Sequence, residues 1–390
     1  MGNEIKTAKF GLERIATVLD ALARPQDRLH FVHVAGTNGK GSVCAMLESS
    51  LRATGRHTGL FTSPHLSEPT ERIRIDGVPV SAERFAHAFD RVHAVVEELI
   101  GNGAIDMHTT YFETVTAMAM VVFEEERVDT VVLEVGLGGR LDATNVVLPD
   151  LAVITPIDFD HEAYLGRSIE AIAGEKAGIL KPGVPAVFAH QRPEAAQVLA
   201  ARGVDAWWTD DWPVSDLKLD ARSSHFQMHG MRIDCPLAGE HQVENARTAA
   251  IALVRLGLPD AAISNGIANA RWPGRLEYVA ENIILDGAHN PAGARALAAY
   301  IQRFYSGRSI CLIYGAMRDK AVAEITGILF PLAERVIATR ASPGASAGAR
   351  YDPRHFRPSE SDHNAGYRRC PRIGARCGYR FCHRVAIPGG

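Results

Sequence analysis

The segment Leu29-His30-Phe31-Val32-His33-Val34-Ala35, followed by Gly36-Thr37-Asn38-Gly39-Lys40-Gly41-Ser42, constrains this chain more than any other. A short apolar run reads as a buried strand, and the helical pattern Gly41–Ala53 follows the turn. A strand running through a glycine-rich turn into a helix N-terminus turns backbone N–H groups and the helix dipole toward an anion. Lys40 is then placed to reach terminal phosphates. The match to G-x-x-x-x-G-K-[ST] is imperfect, because Val34 holds the first Gly position and Gly41 separates Lys40 from Ser42. An ordinary glycine-rich turn is the alternative; the flanking strand and helix favour nucleotide phosphate.

The same alternation continues along the chain, which predicts an α/β fold. Further strands are expected at Thr130–Val135, Leu151–Ile154, Pro185–Ala189, Asn282–Leu285 and Ser309–Tyr314. Helices are expected at Ala82–Ile100, Thr114–Glu125, Val243–Leu256, Ala261–Ala270 and Gly293–Phe304. No internal repeat is seen. A composition break at Trp272-Pro273-Gly274-Arg275 suggests two domains, 1–270 and 271–340.

An apolar fraction of 46% in 390 residues supports a sizeable core and argues against general disorder. No stretch approaches 18 apolar residues, so no membrane span is expected. Met1–Lys6 lacks the basic start and apolar run of a signal peptide. Six cysteines without paired spacing in the body point to a reducing compartment, and the cytoplasm is the expected location. Net charge is −3, but residues 341–390 carry nine Arg, no Lys and three acids, so residues 1–340 carry −9. An acidic body argues against a nucleic-acid partner.

Two more stretches place polar residues where apolar strands end. Glu134 interrupts Val131-Val132-Leu133-Glu134-Val135, followed by Gly136-Leu137-Gly138-Gly139-Arg140. Ligands of open α/β sheets bind at such strand ends, and a carboxylate buried there is costly unless paired or metal-bound. Mg²⁺ bridging phosphate oxygens is one partner; a salt bridge to Arg140 is the ordinary alternative. Asp158-Phe159-Asp160-His161 follows the next strand, and His161 beside Glu134 and a phosphate loop reads as a metal or phosphate contact. Spacing alone would put Lys176 on a solvated helix face.

Taken with Phe61-Thr62-Ser63-Pro64-His65-Leu66, Glu71-Arg72-Ile73, Tyr111-Phe112-Glu113, Glu175-Lys176-Ala177-Gly178, Leu237–Gln242, Trp272–Glu277, Leu285–Pro291, Gly315-Ala316-Met317 and Asp319-Lys320, these motifs make a resemblance. The chain is similar, from about Phe10 to Arg340, to the folylpolyglutamate synthase/dihydrofolate synthase family of the Mur-ligase superfamily. Gly-Thr-Asn-Gly-Lys alone fits the whole superfamily. The Thr-Ser-Pro-His-Leu and Trp-Pro-Gly-Arg-Leu-Glu blocks are particular to the folate branch.

The resemblance implies a P-loop-type central ATPase domain followed by a smaller Rossmann-like domain. It also implies an ATP- and Mg²⁺-dependent ligase joining L-glutamate to dihydropteroate or a reduced folate through an acyl phosphate. By motif, Gly36, Thr37, Asn38, Gly39, Lys40, Gly41, Ser42, Asn245, Arg275 and Asp286 would contact ATP. Ser63, Glu134 and His161 would be magnesium ligands, and Lys40, His161 and Lys176 catalytic. Lys176 matches a lysine that is carbamylated in the family. Thr110, Tyr111, Phe112, Glu113, Asp142, Ala143 and Thr144 would hold the pteridine substrate, and a monomer is expected. A cell-wall amide ligase of the same superfamily is one rival; an inactive or merely ATP-binding product is the other.

Residues 341–390 break the pattern. They contain no Leu, and Cys370, Cys377 and Cys382 sit among the nine Arg. The C-x6-C-x4-C spacing beside His383 fits no usual zinc site, and without apolar periodicity the stretch is not expected to complete a sheet. Codons allowed for Cys382–Gly389, read one base later, can spell V-T-G-S-L-F-L-V, which resembles the closing motif of the family. The same shift allows R-P-R-A near Ala341–Ala345 and M-I-R-D-I-S-G-L-P from Tyr351. The expectation is a second domain truncated near Arg340 by a slip of reading frame.

Overall fold

The computed structural model describes residues 11–316, 321–339 and 379–384. The resemblance at Met317, Asp319 and Lys320, and most of the tail with Cys370 and Cys377, lies outside the described residues.

The first sheet is assembled from β1 (Phe31–Ala35), β2 (Thr58–Phe61), β3 (Ile73–Ile75), β4 (Val78–Pro79), β5 (Thr130–Glu134), β6 (Leu151–Ile154), β7 (Ala186–Phe188) and β8 (Ala206–Trp208). Their order is β4-β3-β2-β5-β1-β6-β7-β8. The run from β2 to β8 is parallel, and β3 and β4 are antiparallel additions at one edge. All five residues of β1 and of β5 are buried. That is why both read as unbroken apolar runs: helices cover both faces of a parallel sheet.

One face packs on helices Lys40–Arg52, His241–Arg255 and Asp260–Asn269 around Leu47, Val132, Ala249 and Ile267. The other packs on Glu13–Ala21, Ala82–Gly101 and Tyr111–Glu126 around Phe31, Phe61, Val92 and Met118. A small antiparallel sheet of β9 (Val214–Leu219), β10 (Ser224–Met228) and β11 (Met231–Cys235) extends the first core through Phe226 and Ile233.

Helix starts follow local chemistry. Ser81 Oγ accepts the Arg84 N–H at 3.1 Å, and Thr110 and Glu113 form a reciprocal capping box. That box starts the helix at Tyr111, three residues before the Thr114 expected from apolar periodicity.

Register brings the C-terminal ends of the central strands together, with Val34 beside Glu134, Ala35 beside Ile154 and Phe61 beside Leu133. The Gly36–Ser42 turn, Ser63, Glu134 and the Thr155–His161 segment therefore leave one edge of the sheet side by side.

The second sheet contains β12 (Glu277–Ala280), β13 (Ile283–Asp286), β14 (Ile310–Gly315), β15 (Arg335–Thr339) and β16 (Tyr379–Arg384), in the order β12-β13-β16-β14-β15. Strand β16 pairs in parallel with β13 and β14. This corrects the expectation that nothing beyond residue 340 completes the sheet. Backbone hydrogen bonding needs no apolar periodicity, so a strand can fill the slot between β13 and β14 where pattern alone gives no signal.

Candidate active site

A cleft of about 710 Å³ opens at the shared strand ends and is closed on its far side by the second domain. Residues Gly36–Ser42 form one wall. Gly36 passes so close to Thr155 that a Cβ there would run into its side chain. Gly39 caps helix Lys40–Arg52 at φ 87°, a conformation that favours glycine, and a Cβ would meet Asn245. Not every amide of the turn faces an anion, because Thr37 and Asn38 donate theirs to the Pro156 carbonyl. The amides left to face an anion belong to the first helical turn, Lys40, Gly41 and Ser42, which have no acceptor within a helix. Lys40 Nζ donates to the Gly36 and Thr37 carbonyls at 3.1 and 3.2 Å.

Glu134 is buried, and its Oε2 accepts the Ser63 N–H at 3.1 Å. Burial pushes its carboxyl above the usual range, against the pull of Lys40, the Ser63 amide, Arg275 and Arg72. The Arg140 alternative fails, since that guanidinium pairs with Glu175 at 2.9 Å. Glu134 thus lines the cleft with a carboxylate a hard cation would stabilise, and Ser63 and His161 line the same cleft. This donor set fits Mg²⁺. His161 lies in the left-handed region at φ 49°. Neighbouring Asp160 is pushed up by burial, but hydrogen bonding to His289 and Asn290 and the charge of His161 outweigh that and hold it well below the ordinary carboxylate range.

Lys176 is the clearest departure from sequence expectation. It is 4% exposed, not on a solvated face, and Nζ donates to the Gly36 carbonyl at 2.8 Å. Burial, then the charge of Lys40, lowers its pKa from 10.5 to about 7. The amine lines the cleft beside the Gly36–Ser42 turn and is half-neutral near neutral pH.

Thr110, Phe112, Glu113, Asp142 and Ala143 also line the cleft. Glu113 is held by Arg14 at 2.8 Å. Asp142 accepts the Leu137 N–H at 2.7 Å and the Thr144 hydroxyl at 2.6 Å. Two expected substrate residues do not line it. Tyr111 lies under the Arg72 guanidinium, 5.2 Å from its ring centre, and Thr144 is fully buried between Asp142 and His33 Nε2. Because Thr144 gives its hydroxyl proton to Asp142, His33 Nε2 is the donor to Thr144. Burial and the charge of Lys181 hold the His33 pKa at about 3, so the ring is neutral.

Asn245, Arg275 and Asp286 reach the cleft from beyond the first sheet. Asp286 is fixed by the Leu276 and Ala288 N–H groups at 3.0 and 2.9 Å. Asn290 Nδ2 spans the two domains, donating to Asn38 Oδ1 and Asp160 Oδ2 at 3.0 Å. Sequence reasoning assigned no role to Arg14, Arg72, His241 or His289, which also line the cleft. Arg72, His241 and His289 stood inside quoted motifs; nothing local marked Arg14, whose partner is 99 residues away.

This fold and cleft define an ATP-dependent amino-acid ligase of the Mur type. The Mur ligase middle domain matches residues 34–254, and the Mur ligase glutamate ligase domain matches residues 274–358. The dihydrofolate synthase/folylpolyglutamate synthase of Mycobacterium tuberculosis is 36% identical over 391 residues, spanning 90% of this chain and 80% of that protein. A crystal structure of the M. tuberculosis folylpolyglutamate synthase complexed with ADP and AMPPCP superposes with a TM-score of 0.79 at 37% identity, covering 86% of this chain and 80% of that one. An FPGS–AMPPCP–folate complex gives 0.78 at 34% identity, covering 84% and 83%. The chain belongs to the dihydrofolate synthase/folylpolyglutamate synthase family.

Proposed function

We propose that the protein joins L-glutamate to dihydropteroate, to a reduced folate, or to both, with ATP as phosphoryl donor. The observation that carries this reading is one cleft lined by the glycine-rich turn, Lys40, Glu134, His161 and Lys176 together with Phe112, Glu113 and Asp142. Relatives solved with ADP, AMPPCP and folate support it.

A carboxylate acylates an amine only when activated. Phosphoryl transfer from ATP to the substrate carboxylate gives an acyl phosphate; the glutamate amine attacks its carbonyl carbon and phosphate leaves. Such chemistry depends on alignment and charge neutralisation. Lys40 and the Lys40–Ser42 amides hold the terminal phosphates. Asn245, Arg275 and Asp286 hold the rest of the nucleotide, and Phe112, Glu113 and Asp142 hold the pteridine end. Mg²⁺, when bound by Ser63, Glu134 and His161, would screen charge between phosphate oxygens. Lys176 is half-neutral near pH 7. Its neutral amine can attack the carbon of CO₂, forming an N–C bond as one C–O π bond opens and releasing a proton to solvent, so that a competing cation gives way to an anionic carbamate. Domain closure through Asn290, Asn38 and Asp160 assembles the site.

ADP release and glutamate incorporation, measured with dihydropteroate and with tetrahydrofolate, test the reading. Turnover that requires both the pteridine acceptor and glutamate is expected. Turnover only with a nucleotide-linked muramyl peptide, or ATP hydrolysis indifferent to both substrates, would overturn it. We also propose that the frame slips near Arg340; resequencing the gene there tests this, and an unbroken frame in related strains would end the idea.

A further inference from the structure

Away from the cleft, helix Ala82–Gly101 and the loop that follows it bring two imidazoles onto one carboxylate. His93 and Glu97 are one turn apart, and His108 arrives from the loop. His93 Nε2 and His108 Nε2 lie 3.7 and 3.6 Å from Glu97 Oε1. These separations exceed hydrogen-bonding distance, so the groups converge without bonding one another directly. The rings are also ordered: His93 stacks on Phe89 at 5.4 Å and on His108 at 6.3 Å, with interplanar angles of 13° and 22°.

We propose that His93, Glu97 and His108 form a binding site for a divalent transition-metal ion of the Zn²⁺ type. Ligand atoms of a tetrahedral zinc site with bonds of about 2.0–2.1 Å stand about 3.4 Å apart. The two imidazole–carboxylate pairs need to close by only a few tenths of an ångström. The imidazole nitrogens, within 4.8 Å of each other, need to close by at most a little over about 1 Å. All three side chains are exposed and free to make that adjustment. Two imidazoles to one carboxylate suit Zn²⁺, Ni²⁺ or Cu²⁺, whereas Mg²⁺ and Ca²⁺ prefer sites dominated by oxygen donors. The site shares no residue with the proposed magnesium ligands.

Its place in the fold gives it a consequence. His108 stands two residues before Thr110, whose capping box with Glu113 starts the helix that presents Phe112 to the cleft. An ion held by His93 and Glu97 ties that loop to the preceding helix and stiffens the pteridine end of the site from outside. The role of that end rests on the proposed function; the metal site does not.

Calorimetric titration of Zn²⁺ alone into untagged, metal-stripped full-length protein in Mg²⁺-containing buffer tests the site. One equivalent should bind, and His93→Ala and His108→Ala should each weaken binding by more than the about 10–100-fold that even changes around a metal ligand typically cost. Without Zn²⁺, both variants should melt at the wild-type temperature, since the residues are exposed. No binding, or binding that survives both substitutions and disappears in Glu134→Gln, would overturn the site. Hydrogen exchange of residues 102–110 should slow on adding Zn²⁺ to wild type and not to His108→Ala. Exchange unchanged in wild type would overturn the clamp. Failure of ligase activity leaves these readouts untouched, so the two readings fail separately.

Discussion

Replacing Lys176 by methionine should make the protein more stable and inactive, with a gain that depends on pH. The side chain is buried, and its pKa falls from 10.5 to about 7 through desolvation, then the charge of Lys40. In the unfolded chain the amine keeps its ordinary value, so between pH 7 and 10.5 the unfolded state binds more protons. The penalty on folding is therefore fully present below pH 7 and fades as pH rises toward 10.5. It amounts to about 5 kcal/mol at pH 6 and about 2 kcal/mol at pH 9. Methionine keeps the volume and removes the charge. It also removes the hydrogen bond to the Gly36 carbonyl, a pH-independent loss of about 1 kcal/mol. Urea unfolding of both proteins in CO₂-free buffer should show the variant more stable at pH 6, with the gap narrowing by about 2–3 kcal/mol at pH 9. A gap equal at both pH values would refute the assignment of a buried, titrating amine. Glutamate incorporation should be lost, and in wild type it should fall in CO₂-free buffer and return with bicarbonate.

Lys40→Ala should lower kcat by about 10²–10³ or more, because on the proposed reading it deletes a charge contact to the transferred phosphoryl group; near-normal turnover would remove the phosphate-loop assignment. Glu134→Gln keeps an acceptor for the Ser63 N–H but not the charge, so the Mg²⁺ concentration for half-maximal rate should rise severalfold. An unchanged Mg²⁺ titration would take Glu134 out of the metal site. Gly39→Ala forces a side chain into φ 87° and against Asn245. It should cost about 1–2 kcal/mol of stability and weaken ADP binding in calorimetry; wild-type affinity would show that the turn does not hold the nucleotide.

The strand–turn–helix unit and the polar interruptions at Glu134 and Asp160-His161 were legible because each is written in contiguous residues. Short strands such as β2 and β3 were not, since three or four residues carry little periodicity. The partner of Arg140 could not be read either. Glu134 is six residues away in sequence, yet the guanidinium turns to Glu175, brought close by the packing of Gly139 against the Glu175 and Lys176 backbone. Tyr111 and Thr144 sit in motifs whose neighbours line the cleft. Their own side chains serve Arg72 in one case and Asp142 with His33 in the other.

By itself the sequence determined that a glycine-rich turn follows a buried strand and that acidic and imidazole groups leave neighbouring strand ends. Glycine placement, apolar runs and the helix start are local properties of the chain. Only the tertiary structure decided that Lys176 is a half-neutral amine beside that turn, rather than a solvated cation. Desolvation is set by everything packed around a group, and the residues packed around this one come from distant parts of the chain.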